Sequence, residues 1–183
     1  RGDEIKWMVF STAEESLPND FPRDALKTEF IKVVSDLSLT SRNYIIYNYQ
    51  VRNLHRYRQE ILDDLIITKN TFEPELVIGP SINDIHQDHQ IVANEMIRAF
   101  KNSAAIISYE LPWNHIAFNT QCFCKLSATH IEKKWKLLNN YKSQITKEKQ
   151  YFTRDYIYGV AKTRGVQCNS EYAEAFEVTR WMI

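Results

Sequence analysis

Apolar positions along this chain change rhythm repeatedly between strand-like runs and helical spacing. Residues 5–11 form a short, mainly apolar run and residues 44–47 a β-branched and aromatic one, and each predicts a strand. Between them lies a polar connection, 12–20, with Pro18 and Asn19. It is followed by Leu26, Phe30, Val33, Val34 and Leu37 at the spacing of an amphipathic helix over 23–37. A second helix is predicted over 51–68, with Leu54, Tyr57, Ile61, Leu62 and Leu65 as its inward stripe. Residues 75–81 then read as a short buried strand stopped at Gly79-Pro80, residues 86–100 as a helix, and residues 104–111 as another strand. Strand and helix in alternation predict an α/β fold, a Rossmann-like, mostly parallel sheet with helices on both faces.

The remaining third is more helical. Ile131, Trp135, Leu138 and Tyr141 recur at helical spacing over 128–144, and a further helix over 147–164 ends at Gly165. A length of 183 residues with 44% hydrophobic content suits one domain, 1–183, with a sizeable core. Lys plus Arg and Asp plus Glu number 23 each, so no net field draws nucleic acid or an anionic membrane, and a neutral substrate is allowed. No apolar run approaches the roughly 20 residues of a membrane span. Three cysteines without a Cys-x-x-Cys argue against a disulfide framework and for a cytoplasmic protein. Only four glycines are present and none forms a phosphate-cradling loop, which ranks a nucleotide-binding Rossmann enzyme low among the alternatives.

Candidate chemistry concentrates at the end of the 75–81 strand, where Asp84, His86, Asp88 and His89 crowd into six residues. A helix beginning near Ile85 and capped by Asn83 or Asp84 would set His86 and His89 on one face, with Asp88 close enough to orient an imidazole. Carboxyl ends of strands are where open α/β sheets hold ligands. The bland alternative is an exposed helix start with capping carboxylates, since two histidines fall short of the three protein ligands of a catalytic zinc. Among Arg52, His55, Arg56 and Arg58, a solvated helix face competes with an arginine, Arg52, that reaches a cleft. Trp113 and Asn114, after a proline at a strand end, suit a sugar ring, although Trp113 could equally be core. His115 and His130 are isolated and read as structural. Cys122 and Cys124 share one face of a packed strand rather than a metal site.

Pro80-Ser-Ile-Asn-Asp-Ile-His-Gln-Asp-His89 resembles the second motif of the PIG-L/LmbE family of zinc-dependent N-acetylglucosaminyl deacetylases. Gly2-Asp-Glu-Ile5, Arg58-Gln-Glu-Ile-Leu62, Arg98-Ala-Phe-Lys101, Tyr109-Glu-Leu-Pro-Trp-Asn114, Tyr141-Lys-Ser-Gln144 and Ala173-Glu-Ala-Phe-Glu177 follow the family's order along nearly the whole chain. The family's first motif, His-Pro-Asp-Asp-Glu, is absent, so a first strand and that motif are expected upstream. The resemblance implies a metal-dependent N-deacetylase, provided the intact protein carries that motif, acting on an N-acetylated amino sugar or glycoconjugate. It implies Zn2+, or another divalent metal, bound by His89 with a His and an Asp of the missing motif, and that motif's other Asp as general base. His86, kept protonated by Asp88, would stabilise the oxyanion and protonate the amine. Arg52, Trp113, Asn114 and Glu174 would contact substrate, although packing could also explain Glu174. A homo-oligomer is compatible with the resemblance, and Tyr141 to Gln144 has no derived role. A non-catalytic carbohydrate-binding protein of the same fold is the alternative.

Overall fold

The computed structural model describes residues 3–182, so Gly2 of the quoted motif lies outside the described residues. Contacts divide the chain into two compact units, residues 1–51 with 126–172, and residues 52–125 with 173–183. Together they make an α/β fold in which sheets are flanked by helices.

In the first unit, β1 (Trp7–Val9) and β2 (Tyr44–Ile46) pair in parallel, Met8 opposite Ile45. The helix predicted between them is α1 (Ala25–Asp36), whose Phe30, Val33 and Val34 are buried. Phe30 makes edge-on contacts with Trp7 and Tyr44, ring centroids 5.1 and 5.5 Å away, so the helix is keyed to both strands by one ring. The helix expected over 128–144 is broken in two, α4 (Ala128–Leu138) and α5 (Lys142–Ile145). Asn139 and Asn140, poor helix formers, sit at the break. Beyond it, the Ser143 N–H and hydroxyl donate to the Glu29 carboxylate of α1 at 2.8 and 2.7 Å. That gives the Tyr141-Lys-Ser-Gln144 segment a role, fastening α5 to α1. Burial, with the Glu29 charge, pushes the Tyr141 phenol up to about 12. The last helix, α6, covers Arg154–Gln167 instead of 147–164. It starts late because Thr153 caps it, its hydroxyl accepting from the Tyr156 N–H. It runs past Gly165 because that glycine marks a close approach and not a stop: a Cβ there would lie 2.7 Å from the carbonyl oxygens of Ser170 and Glu171.

In the second unit a four-stranded sheet has the order β3 (Leu76–Gly79), β4 (Ala105–Tyr109), β6 (Tyr172–Arg180), β5 (Cys122–Leu126). β3 and β4 are parallel, whereas β6, which no sequence rhythm had marked as a strand, runs antiparallel to β4. The helix expected from residue 51 begins as a 3-10 turn over Leu54–Tyr57 and becomes α2 only at Arg58, extending to Phe72. Its inward stripe is as expected at Leu54, Ile61, Leu62 and Leu65, all buried, with Tyr57 half-buried. α3 (Gln87–Phe100) packs on α2 and on β3, and the absence of a side chain at Gly79 admits Met96 against the strand end. β3 itself is not the buried strand expected. It lies at the sheet edge, with Leu76 and Ile78 on one face 46% and 53% exposed. Among the described residues no helix is long and apolar enough to cross a membrane.

Candidate active site

β3 ends at Gly79, and the chain turns through Pro80 to Ile85 before α3 begins. His86 is itself the N-cap of α3, in extended conformation, its Nδ1 accepting from the Asp88 N–H at 3.2 Å. The expected cap at Asn83 or Asp84 is thereby corrected. Asp84, with no exposed surface, instead uses both carboxylate oxygens at the site. Oδ1 accepts from the His86 N–H at 2.7 Å, and Oδ2 lies 2.7 Å from His89 Nδ1. The two imidazoles stack with centroids 4.5 Å apart and planes inclined by 27°. A carboxylate on Nδ1 fixes the ring's orientation and leaves Nε2 as the nitrogen directed at a ligand, the arrangement that supports metal-binding histidines.

Asp88 does not do what its spacing suggested. Its carboxylate faces the loop before α2, accepting the Arg52 N–H at 2.6 Å and the Leu54 N–H at 3.4 Å. It therefore holds a backbone loop, and its hydrogen bond to His86 is made by its own N–H and not by its carboxylate. With Nδ1 an acceptor, His86 carries its proton on Nε2. Burial first, then the neighbouring His89, lowers its pKa below the usual histidine value, with Arg52 acting in the same sense and Asp88 and Asp84 opposing. The acceptor role of Nδ1 and the direction of that shift both favour a neutral imidazole with its N–H at Nε2.

Arg52 takes a left-handed conformation, φ 66°, and its carbonyl accepts from the Gln87 side chain at 2.6 Å. Its main chain is thus bound at both ends to the start of α3 while its side chain is exposed. The other basic residues of that segment divide. His55 and Arg56 are exposed, and Arg58 donates to the fully buried Glu95 of α3, which Arg98 also contacts. The segment from Trp113 to His115 is laid along the turn by backbone pairing, the Ile85 N–H donating to the Asn114 carbonyl at 3.0 Å and His115 bridging to Asp84. Trp113 is 41% exposed, which disposes of a fully buried core role. Burial, with the Asp84 charge adding to it, pushes the Tyr109 phenol up to about 12. Cys122 and Cys124 lie on β5, and His130 closes the capping box of α4.

One carboxylate escaped the sequence reading. Glu177 on β6 is buried and contacts Ser81 Oγ, Asn83 Nδ2 at 3.1 Å and the Asn119 N–H at 3.0 Å. Strand alternation turns Glu174, three residues earlier, to the face opposite Glu177. The available signal was the same-face series Ala173, Ala175, Glu177, a charged residue ending a buried register.

Among the described residues no group of three His, Cys, Asp or Glu side chains could hold a metal ion. The turn fits one ligand position, at His89, and does not complete a zinc site, which takes three protein ligands when catalytic.

The fold is therefore that of an α/β protein whose reactive side chains stand at the carboxyl end of a parallel strand. Its likeness to solved structures is extensive at low sequence identity. N,N'-diacetylchitobiose deacetylase from Pyrococcus horikoshii matches with a TM-score of 0.77 and 14% identity, over 97% of this chain and 73% of that one. GalB, the 4-carboxy-2-hydroxymuconate hydratase from Pseudomonas putida KT2440, matches at 0.76 with 17% identity, over 98% and 85%. A zinc-inhibited form of the teicoplanin deacetylase Orf2 matches at 0.73 with 14% identity, over 96% and 86%. No protein-family model and no curated protein matches the sequence.

Proposed function

We propose that this chain is the core of a metal-dependent hydrolase of the PIG-L/LmbE kind, removing the acetyl group from an N-acetylglucosamine-type sugar or glycoconjugate. The Asp84–His89 pair carries the proposal: a buried carboxylate presents an imidazole at a strand end, in a fold shared with two solved deacetylases. His89 is one ligand of zinc or another divalent metal, and the remaining donors and the proton acceptor come from a strand and turn upstream. The edge position of β3, paired among the described strands with β4 alone, leaves a side on which such a strand could pair. When bound, the metal would activate water and polarise the amide carbonyl.

This chain's own residues orient and stabilise. The His86 Nε2–H donates to the oxygen on which negative charge develops, a role that a neutral imidazole fills. Asp84 fixes the direction of His89, and Asp88 holds the Arg52 loop against the start of α3. The Arg52 guanidinium, the Trp113 ring and the Asn114 amide are the substrate contacts we assign, an apolar face with polar neighbours suiting a neutral sugar.

The test uses the intact protein, incubated with N-acetylglucosamine derivatives while released amine is measured. His86→Ala should lower turnover by about 100-fold, the loss typical of an oxyanion donor, with metal content retained. His89→Ala should lose the metal, and equal metal in both variants would overturn the assignment. The hydratase neighbour supports a second reading, addition of water to an unsaturated acid, which loss of ultraviolet absorbance of such an acid would reveal. Sugar binding without amine release would instead identify a carbohydrate-binding protein.

A further inference from the structure

Glu177 lies far from the His86–His89 turn in sequence, yet its carboxylate accepts from Ser81 and Asn83, just ahead of that turn, and from Asn119. Ser81, with no exposed surface, donates its hydroxyl to Oε2, and Asn83 donates its side-chain amide to Oε1 at 3.1 Å. The Asn119 backbone N–H donates to Oε1 at 3.0 Å. The connection continues inward. Ser81 Oγ also accepts the Asn83 N–H at 3.0 Å, and the Ser81 carbonyl accepts the Asp84 N–H at 3.2 Å. Asp84 in turn holds the His86 backbone and the His89 ring. Beneath it, β6 is fixed to β4 with Ser108 opposite Glu177, and the Ser108 hydroxyl donates to the Pro80 carbonyl at 3.1 Å.

We propose that Glu177 is the positioning residue of the active site: its carboxylate clamps residues 81–84 to the sheet and so sets the direction in which Asp84 presents His89. This rests on the deacetylase reading only for its effect on turnover. The geometry explains what a carboxylate does here. The Asn83 amide and the Asn119 N–H share Oε1, and the Ser81 hydroxyl donates to Oε2; a Gln keeps an acceptor for the first two but reverses the third, its N–H2 donating to Ser81 Oγ, which already accepts the Asn83 N–H, so the Ser81 hydrogen must turn elsewhere. Altering a residue that directly contacts a metal-binding histidine, as Asp84 contacts His89, typically changes affinity or activity by about 10- to 100-fold, and Glu177, acting through Asp84, stands at the lower end of that range.

The experiment compares Glu177→Gln, Glu177→Asp and Asn83→Ala in the intact protein by two readouts. The first is the 15N chemical shifts of the His89 ring nitrogens, which report tautomer and hydrogen bonding without any substrate. The second is amine release from N,N'-diacetylchitobiose. Glu177→Gln should shift the His89 ring signals and lower kcat by about 10-fold or more with KM changed less than about twofold. Glu177→Asp, which keeps the acceptors one methylene further back, should restore part of both. Asn83 is exposed, so Asn83→Ala should fold and shift the same signals by a smaller amount, which decides the matter if Glu177→Gln does not fold. Unchanged His89 signals in every folded variant would overturn the proposal. If the wild-type protein releases no amine, the deacetylase reading fails, and the ring signals alone still decide the role of Glu177.

Discussion

Asp84 is an acid without solvent, and its surroundings show how the turn tolerates it. A buried carboxylate is costly unless its lone pairs are used. Here the His86 amide and the His89 ring take one oxygen each, while the adjacent Tyr109 responds to the same charge by holding its proton. Because the folded pKa of Tyr109, about 12, lies above the ordinary phenol value of 10.0, neutral tyrosine favours the fold. That contribution is complete below pH 10 and is lost as the pH rises through 12. Ultraviolet titration, differenced against Tyr109→Phe, should show one phenol ionising near pH 12. Much of the centre was legible at this scale. His86 and His89 announce themselves by spacing, but the partner of His89 is five residues away, a contact available only because the helix starts after His86. Glu177 could not be assigned from sequence, since its partners at 81, 83 and 119 are gathered only by the antiparallel return of β6.

Elements followed their apolar rhythms in type and departed from them at their ends. α1, α2, α3 and β4 fall where hydrophobic spacing placed them, because burial drives both the pattern and the packing. Starts and stops were set by partners that the local sequence does not contain. Asp88 captures the amides before α2, Glu29 captures the start of α5, and the carbonyls of Ser170 and Glu171 close on Gly165. At that last position the neighbouring atoms are backbone and cannot swing aside. Gly165→Ala should therefore destabilise the protein by about 1–3 kcal/mol despite alanine's better helix propensity. Chemical denaturation would detect this as a lower midpoint, whereas at Gly159, where a Cβ meets nothing within 4 Å, the same change should be neutral or stabilising.

At the scale of the whole molecule, balanced charge and an α/β fold were both visible in composition and alternation. The division of contacts into two units was not, because each unit is built from two segments separated in sequence by a segment of the other. Nor was the edge position of β3, since an apolar run reads the same whether or not another strand covers it.

That edge has a practical side. Among the described residues β3 pairs with β4 alone, and an edge strand carrying exposed Leu76 and Ile78 is a template for another copy of itself, so this polypeptide expressed alone should self-associate. Ile78→Lys should lower the light scattering of the 183-residue polypeptide. In a longer protein in which another element packs on this face of β3, the same lysine would be trapped against hydrocarbon and should lower the melting temperature. The opposite signs make one substitution a reporter of what, in the cell, lies against this strand.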